Sequence, residues 1–267
     1  MSKQKKEQRR WSYSSLSCFA HCPYEYYLQY IVSDDDLYLS EGNFYAETGS
    51  FAHHVLELIL KGELPPEDAA DYVIEHYDDA VCYKTRKETM TKTYCAILSY
   101  FADFNADILQ NYHVFGVEQE VKFMLDDHPF IGYIDLILED SKDGGFILVD
   151  HKSSDYPFTA KGAVKKNSAE SFASYKRQMY LYAHAFNQLY GEFPKALAWN
   201  HFKCGGKIAS IPFNESEYNE SLDWFRDRIK KIEKEESFEP SMDYFYCKNL
   251  CNFRNSCDYV KFVGDGW

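Results

Sequence analysis

The chain has 267 residues, 45% of them hydrophobic, and is long enough to bury a full core as one domain spanning residues 1–267. No apolar run approaches the roughly 18 residues of a membrane span, and no apolar segment follows the basic start, which predicts a cytoplasmic (intracellular) protein without a secretory signal or a membrane partner. The net charge of −13 argues against a uniformly positive surface of the kind that coats duplex DNA.

Two short helices are predicted within residues 11–31. Ser14 or Ser15 can cap the first helix, and Pro23 interrupts the chain before the second. Cys22 lies at the junction between them. The eight cysteines of an intracellular protein are more often metal ligands or free thiols than disulfides. Cys22 is therefore a candidate ligand if partners exist elsewhere in the chain.

An amphipathic helix is predicted over residues 49–60, with His53 at the edge of its apolar face. An isolated helical histidine more often packs than binds a metal, so His53 also needs partners. Residues 65–110 are predicted to be further helix, and residues 117–125 alternate between apolar and polar side chains as a strand does. The glutamates of this strand, including Glu118, face either a metal cleft or solvent.

A hairpin over residues 134–149 is the centre of the predicted site. Its two arms are short and rich in β-branched residues, and a turn with two glycines separates them. Pairing Glu139 with Phe146 places Asp135 opposite Asp150 on one face, with Cβ atoms roughly 4.5–5.5 Å apart. Two carboxylates at that distance repel each other, so their burial requires a proton or a cation between them.

Lys152 follows Asp150 by two residues and therefore shares its face of the strand. A hard divalent ion, Mg²⁺ or Mn²⁺, between Asp135 and Asp150 would remove the repulsion. The alternative is an exposed hairpin end with unpaired aspartates and a solvated lysine.

Residues 155–170 are predicted to be a flexible basic segment that contacts phosphate groups. Gln178 and Tyr182 lie four residues apart on a predicted helix over residues 174–189, so both can reach one ligand. The remaining predicted elements are a hairpin of residues 196–203 and 207–213 and a charged helix over residues 215–236.

Three closely spaced cysteines near the C-terminus are candidate metal ligands: Cys247, Cys251 and Cys257. Their fourth partner must be distant in sequence, and Cys22 is the best placed because the two chain ends can meet beside the core. Residues 11–31 and 240–262 would then form one cysteine lobe. Zinc commonly prefers cysteine pairs with two residues between them, whereas four thiolates from separate segments also suit a [4Fe–4S] cluster.

Four motifs occur in one order along the chain: Gly49-x₃-His53, Asp135, Asp150-x-Lys152 and Gln178-x₃-Tyr182, framed by the four cysteines. In these motifs the chain resembles the PD-(D/E)XK nuclease superfamily, specifically its RecB/AddB-type iron–sulfur exonuclease branch, which includes CRISPR-associated exonucleases. The resemblance covers nearly the whole chain. One departure is the presence of three residues between the first two C-terminal cysteines, where the family usually has two.

The resemblance implies a restriction-endonuclease-like α/β (α+β) fold, in which helices flank a central mixed β-sheet and a Cys₄ metal cluster joins the N- and C-terminal segments. It also implies that Lys152 is catalytic and that Gln178 and Tyr182 help to position DNA. The residues implied to bind Mg²⁺ or Mn²⁺ are His53, Asp135, Asp150 and, through its backbone carbonyl, His151. The residues implied to hold a [4Fe–4S] cluster are Cys22, Cys247, Cys251 and Cys257.

The expected function is that of a metal-dependent DNA exonuclease acting on single-stranded ends in DNA repair or recombination, with endonuclease cleavage left open. The aromatic content of 18% suits base stacking on single strands. One alternative is a non-catalytic DNA-binding or scaffolding module of a recombination or CRISPR-adaptation complex, and another is a zinc-stapled helical adaptor. Because the chain has no helicase motif, we expect a helicase or a recombination or integration protein as a partner.

Overall fold

A computed structural model describes residues 10–32, 40–104 and 109–260. Five strands form one sheet in the order β1-β2-β3-β4-β5. The strands are β1 (Tyr112–Leu125), β2 (His128–Asp140), β3 (Phe146–Lys152), β4 (Ala196–His201) and β5 (Lys207–Pro212). β3 and β4 are parallel, and the other neighbouring strands are antiparallel. The predicted mixed sheet is therefore confirmed.

Helices cover both faces of this sheet. They are α1 (Tyr13–His21), α2 (Pro23–Tyr30), α3 (Phe44–Leu60), α4 (Ala69–Ala80), α5 (Lys87–Ala102), α6 (Ala169–Tyr190), α7 (Glu215–Lys234) and α8 (Tyr244–Asn249). Side chains of α1, α6 and α7 share one core cluster with the sheet, and α3 contacts the opposite face. None of these helices combines the length and the hydropathy that crossing a membrane requires.

Two predicted segments differ from the structure. The predicted helix over residues 65–110 is divided into α4 and α5, because residues 81–86 between them are not helical. The basic segment of residues 155–170 is folded, with a β-bridge between Phe158 and Val164 followed by a short 3₁₀ helix. Sequence composition indicated flexibility there, but backbone pairing holds part of the segment.

The core between the sheet and α6 explains the position of that helix. Parallel strands cannot be joined by a tight turn, so the connection from β3 to β4 crosses the sheet face as α6. Met179, Ala183 and Phe186 recur at helical spacing along α6 and belong to the same buried cluster as Leu148 of β3. Gly191 then ends the helix in a left-handed conformation, with φ of 81°.

The predicted register of the β2–β3 hairpin is confirmed, since Glu139 pairs with Phe146. The ladder ends where Leu136 pairs with Val149, one position short of the two aspartates. On the other side of β2, strand β1 is irregular, because Glu118 has a left-handed φ of 47°. A non-glycine residue pays about 1–2 kcal/mol for that conformation. The distortion lies beside the predicted site.

The two segments of the predicted cysteine lobe contact each other. The Tyr246 hydroxyl donates a hydrogen bond to the Glu25 carboxylate at 2.8 Å, and the backbone N–H of Asn252 donates to the same carboxylate at 3.4 Å. The Ser241 hydroxyl donates to the carbonyl oxygen of His21. The N- and C-terminal segments are therefore neighbours, as the sequence predicted.

Candidate functional site

Asp150 and Lys152 of β3 form a buried ion pair beneath α6. Lys152 Nζ lies 2.7 Å from Asp150 Oδ2 and donates a hydrogen bond to Oδ1 at 3.0 Å. The same amine donates to Gln178 Oε1 at 3.0 Å. Asp150 is only 3% exposed, and its Oδ2 makes no hydrogen bond of acceptable geometry within the described residues. Two predicted site residues on one strand therefore meet a third on α6.

Asp135 reaches the same place from β2. Its Oδ2 accepts a hydrogen bond from the backbone N–H of His151 at 2.7 Å. This bond holds the carboxylate against the end of β3, just beyond the last assigned pair of the hairpin. Asp135 and Asp150 therefore lie on neighbouring strands at one end of their ladder, as the predicted register requires.

Helix α3 carries His53 to these strands. One ring nitrogen of His53, Nε2, lies 2.9 Å from the backbone carbonyl oxygen of His151. The other, Nδ1, lies 3.5 Å from Asp135 Oδ2 and 3.8 Å from Glu118 Oε1. The side chain of Asn43 caps α3 by accepting a hydrogen bond from the Ala46 N–H at 2.9 Å. The histidine of α3 thus contacts the hairpin that carries Asp135.

His53, Glu118 and Asp135 form the group that could hold a metal ion in the described part of the chain. One ligand atom from each lies within 4.8 Å of the other two. Asp150 is outside this group, and its carboxylate pairs with the Lys152 amine. Carboxylate oxygens and one imidazole suit Mg²⁺ or Mn²⁺.

One pair of donor atoms has the spacing that a bound cation requires. Ligands at about 2.1 Å from a Mg²⁺ ion, at right angles to each other, lie about 3 Å apart. The 2.9 Å between His53 Nε2 and the His151 carbonyl oxygen matches this spacing and is also the length of a hydrogen bond, whereas the carboxylates of Asp135 and Glu118 face the other ring nitrogen, Nδ1. The Oδ2 atom of Asp150, which is buried and lies 2.7 Å from the Lys152 amine, is a further oxygen of the right kind.

The electrostatics of the site favour a bound positive charge. Burial by itself would lower the pKa of His53, but hydrogen bonding to Glu118 and the charge of Asp135 outweigh it and raise that pKa. Burial also raises the pKa of Asp135 and of Asp150, despite the nearby cations. All three shifts favour proton uptake. A divalent cation would satisfy the same excess of negative charge.

Lys152 stays charged in this environment. Burial would lower the pKa of its amine, but the Asp150 carboxylate beside it outweighs burial and raises that pKa. The amine also lies 4.7 Å from the ring centroid of Tyr175 on α6. An ammonium group held by one carboxylate, one amide oxygen and one aromatic ring is oriented before any substrate arrives.

Tyr182 lies beside Gln178 on the side of the site that α6 forms. Its hydroxyl accepts a hydrogen bond from Gln178 Nε2 at 3.4 Å, and burial raises its pKa to about 12. A Cβ atom on Gly132 of β2 would lie 2.7 Å from the Tyr182 ring. Only glycine therefore lets this ring approach the strand that carries Asp135. Gln178 therefore contacts Lys152, and Tyr182 contacts Gln178.

His151 takes part through its backbone, since its side chain points to the opposite face of the sheet. There it lines a cavity of about 920 Å³ together with Asn200 and Tyr100. Asn200 Nδ2 lies 3.1 Å from His151 Nδ1 and donates to the Tyr100 hydroxyl at 2.9 Å. Burial lowers the pKa of His151 to about 3, so its imidazole is neutral.

The four predicted cluster ligands line one small cavity, and these are Cys22, Cys247, Cys251 and Cys257. No three of their sulfur atoms lie within 4.8 Å of one another in the described residues. Burial raises the pKa of Cys247 to about 11 and also raises the pKa of Cys251 and of Cys257. Thiols in such a place become thiolates only with a compensating cation.

Sequence reasoning left Glu118 undecided and missed Tyr175. The alternation of β1 did not show which glutamate turns inward, because the left-handed backbone at Glu118 interrupts that alternation. Glu120 instead accepts a hydrogen bond from Tyr133 at 2.8 Å near the surface. Tyr175 stands three residues before Gln178, so helical spacing was a usable signal for it.

Comparisons with known proteins identify the family of this chain. A crystal structure of a "Putative exonuclease" from Eubacterium rectale is similar, with a TM-score of 0.49 and 12% identity, over 100% of this chain and 95% of that chain. No curated protein sequence matches. The family model described as the PD-(D/E)XK nuclease superfamily matches residues 10–258. The chain therefore belongs to the PD-(D/E)XK nuclease superfamily.

Proposed function

We propose that this protein is a metal-dependent DNA exonuclease that hydrolyses phosphodiester bonds at single-stranded ends. One observation carries the proposal. The Lys152 amine is held between Asp150 and Gln178, next to the candidate metal ligands His53, Glu118 and Asp135. Membership in the superfamily supports phosphodiester hydrolysis as the reaction.

His53, Glu118, Asp135, Asp150 and the carbonyl oxygen of His151 would hold Mg²⁺ or Mn²⁺. Such an ion, when bound, lowers the pKa of a water molecule and neutralises charge on the phosphate. Lys152 would donate hydrogen bonds to the phosphate oxygens as their negative charge grows in the transition state.

The depth of the site supports a single-stranded substrate. The side chains of Lys152 and Asp150 are only 17% and 4% exposed, so a phosphodiester must enter a cleft to reach them. A flexible single strand can do this more easily than a stiff duplex. The half-buried ring of Tyr175 beside the amine can stack on a base. Acting on duplex DNA would then require a strand-separating partner, a helicase or a recombination protein.

The decisive experiment compares wild-type protein with Lys152→Met on end-labelled single-stranded DNA in Mn²⁺. We expect wild-type protein to shorten linear strands and to leave circular single strands intact, which identifies an exonuclease. Lys152→Met should be slower by about 10²–10³-fold, because it lacks the charge that stabilises the transition state. Labels at the 5′ and 3′ ends report the polarity.

Lys195→Met is the matched control. Lys195 Nζ bonds to Asp140 at 2.7 Å and to Asp143 at 2.8 Å at the opposite end of the hairpin, so its loss removes the same charge away from the site. We expect wild-type cleavage rates from this variant. Folded Lys152→Met that cleaves as fast as wild-type protein would refute the proposal, and cleavage of circles would make the enzyme an endonuclease.

We also propose that Cys22, Cys247, Cys251 and Cys257 hold a [4Fe–4S] cluster, which would place the chain in the RecB/AddB-type branch. Their position around one buried cavity supports a shared metal group. Zinc with sulfurs at about 2.3 Å would bring the sulfurs about 3.8 Å apart, and no three of these sulfurs lie within 4.8 Å of one another in the described residues. A cluster of four irons spaces its ligands more widely.

Anaerobic purification tests the cluster. We expect a brown protein with broad absorbance at about 400 nm and about four irons per chain. Cys251→Ser should lose the iron, while Cys82→Ser should keep it because Cys82 is exposed and lies outside the cavity. A colourless protein with one zinc per chain would contradict the proposal.

A further inference from the structure

Two arginines from different helices pack on one tryptophan beside the candidate site. The guanidinium carbon of Arg177, on α6, lies 4.9 Å from the ring centroid of Trp224. The guanidinium carbon of Arg228, on α7, lies 5.0 Å from the same ring. Cation–π contacts hold both side chains at this ring and leave most of their N–H donors available.

Neither arginine forms an ion pair in the part of the chain that the structure describes, since Asp227, the acidic neighbour of Arg228, pairs with Lys231. The Nε atoms of Arg177 and Arg228 are buried and make no hydrogen bond. The protein has 42 acidic and 29 basic side chains, so partners for two arginines were abundant. Arg226, also on α7, shows the contrast, since it binds Asp126 at 2.8 Å and Asp223 at 3.0 Å. An unpaired pair of this kind is suited to an external anion.

The pair is linked to Lys152 through α6, where Arg177 directly precedes Gln178, whose side chain accepts a hydrogen bond from Lys152 at 3.0 Å. At 100° per residue, the direction of Ser174 falls between those of Arg177 and Gln178. The Tyr13 hydroxyl bonds to Ser174 through both its carbonyl oxygen, at 2.7 Å, and its hydroxyl, at 2.5 Å. Tyr13 is near enough to Arg177 and to Lys152 for both charges to act on its hydroxyl, although burial still raises its pKa. Tyr13 therefore lies between Arg177 and Lys152.

We propose that Arg177 and Arg228, held on Trp224, bind the phosphodiester backbone of the DNA strand whose neighbouring phosphate lies at Lys152. This inference deepens the proposed function and rests on it for the identity of the strand. Guanidinium groups form paired, charge-assisted hydrogen bonds with phosphate oxygens. The DNA strand would pass Tyr13 and Tyr175 on its way from the two arginines to Lys152. Positive side chains grouped in this way let an acidic protein bind DNA at one part of its surface.

The test measures binding of a fluorescein-labelled single-stranded 20-mer by anisotropy in EDTA, so that cleavage plays no part. In Arg177→Gln/Arg228→Gln we expect the dissociation constant to rise by roughly tenfold at low salt. We expect the slope of log affinity against log salt to become shallower by about 0.7 for each phosphate that the variant no longer neutralises. Arg177→Lys should keep most of the slope, since its charge remains.

Arg226→Gln is the control, because it removes one arginine charge from α7, the helix of Arg228, at a position already neutralised by two aspartates. Its affinity and salt slope should equal those of the wild type. The inference is overturned if the double variant, shown to be folded by its melting curve, keeps the wild-type slope, or if Arg226→Gln weakens binding as much as the double variant does. If the salt slopes differ as expected but the wild-type protein does not cleave DNA in Mn²⁺, the proposed nuclease activity is refuted while the role of the two arginines stands.

Discussion

At the scale of single residues, the site holds buried carboxylates close to one another. Asp150 is buried and paired with the Lys152 amine, and the pKa values of His53 and Asp135 are both raised. A proton or a metal ion removes the same excess of negative charge. The residues therefore favour a cation before a substrate is considered.

The buried pair of Asp150 and Lys152 leads to a prediction about stability. In metal-free protein near neutral pH, Lys152→Met should cost about 3–5 kcal/mol of unfolding free energy, because it leaves a buried carboxylate unpaired. Adding Asp150→Asn should recover much of that loss. Urea unfolding in EDTA measures both values. If the two substitutions are additive in a double-mutant cycle, the two side chains are not coupled and the prediction is wrong.

Gly132 leads to a second prediction at this scale. In Gly132→Ala the new methyl group meets the Tyr182 ring at 2.7 Å, and overpacking of this kind typically costs about 1–3 kcal/mol. In a Tyr182→Leu background the same substitution should cost much less, because the ring is gone. Denaturant unfolding of the four proteins tests this. Equal costs in both backgrounds would mean that the ring does not require glycine.

At the scale of elements, α3 connects the site to the C-terminal segment. Asn43 caps this helix through its side-chain oxygen and also donates from Nδ2 to the carbonyl oxygen of Leu250 at 3.2 Å. One side chain therefore fixes the start of α3 and joins it to the chain near Cys251. The histidine of the site lies ten residues further along the same helix.

Asn43→Ala should lower the unfolding free energy by about 1 kcal/mol, because the helix loses its N-cap. Asn43→Asp keeps the capping oxygen and places a negative charge at the helix start, where it is favourable. It should therefore be close to wild type in thermal melting. A loss in Asn43→Asp as large as that in Asn43→Ala would assign the effect to the Leu250 contact instead of the cap.

At the scale of the whole molecule, an acidic protein holds two arginines without an ion pair, among its described residues, close to the proposed site. The net charge is −13, yet Arg177 and Arg228 meet at Trp224, and Arg177 directly precedes Gln178, which contacts Lys152. Most of the acidic surface would repel DNA, so productive contact is confined to this part of the surface. Salt dependence of binding should accordingly correspond to few phosphate contacts.

The pH dependence of metal binding is the prediction that belongs to this scale. Metal binding requires neutral His53 and ionised Asp135 and Asp150, and all three have raised pKa values. Mn²⁺ affinity should therefore fall as the pH drops through the raised pKa of His53, by up to about tenfold per unit for this one proton. Calorimetric titration from about pH 8.5 to about pH 6, a range that brackets the usual histidine pKa, measures it.

His53→Gln should flatten the upper part of this pH profile, leaving the dependence that the two aspartates cause at lower pH. In metal-free protein the sign is opposite for stability, because groups with raised pKa values stabilise the fold when protonated. Stability without metal should fall as the pH rises through these values, and Mn²⁺ should restore it. A wild-type Mn²⁺ affinity that is independent of pH would mean that His53, Asp135 and Asp150 do not bind the metal.

The sequence alone determined the local features of this protein. Alternation and turn residues predicted the hairpin and its register, and the two-residue spacing of Asp150 and Lys152 predicted their shared face, because a strand repeats every two residues. Helical spacing placed Gln178 and Tyr182 together on α6. These predictions depend on neighbours within one or two elements, where backbone geometry is nearly constant.

The tertiary structure decided which distant elements meet. The inward turn of Glu118 depends on one left-handed residue, and the approach of α1, α6 and α7 that brings together Tyr13, Arg177 and Trp224 depends on how whole helices pack. Such contacts join positions far apart along the chain, and no periodicity within a segment records them. Packing angles and burial, which act only once the core has formed, settle them.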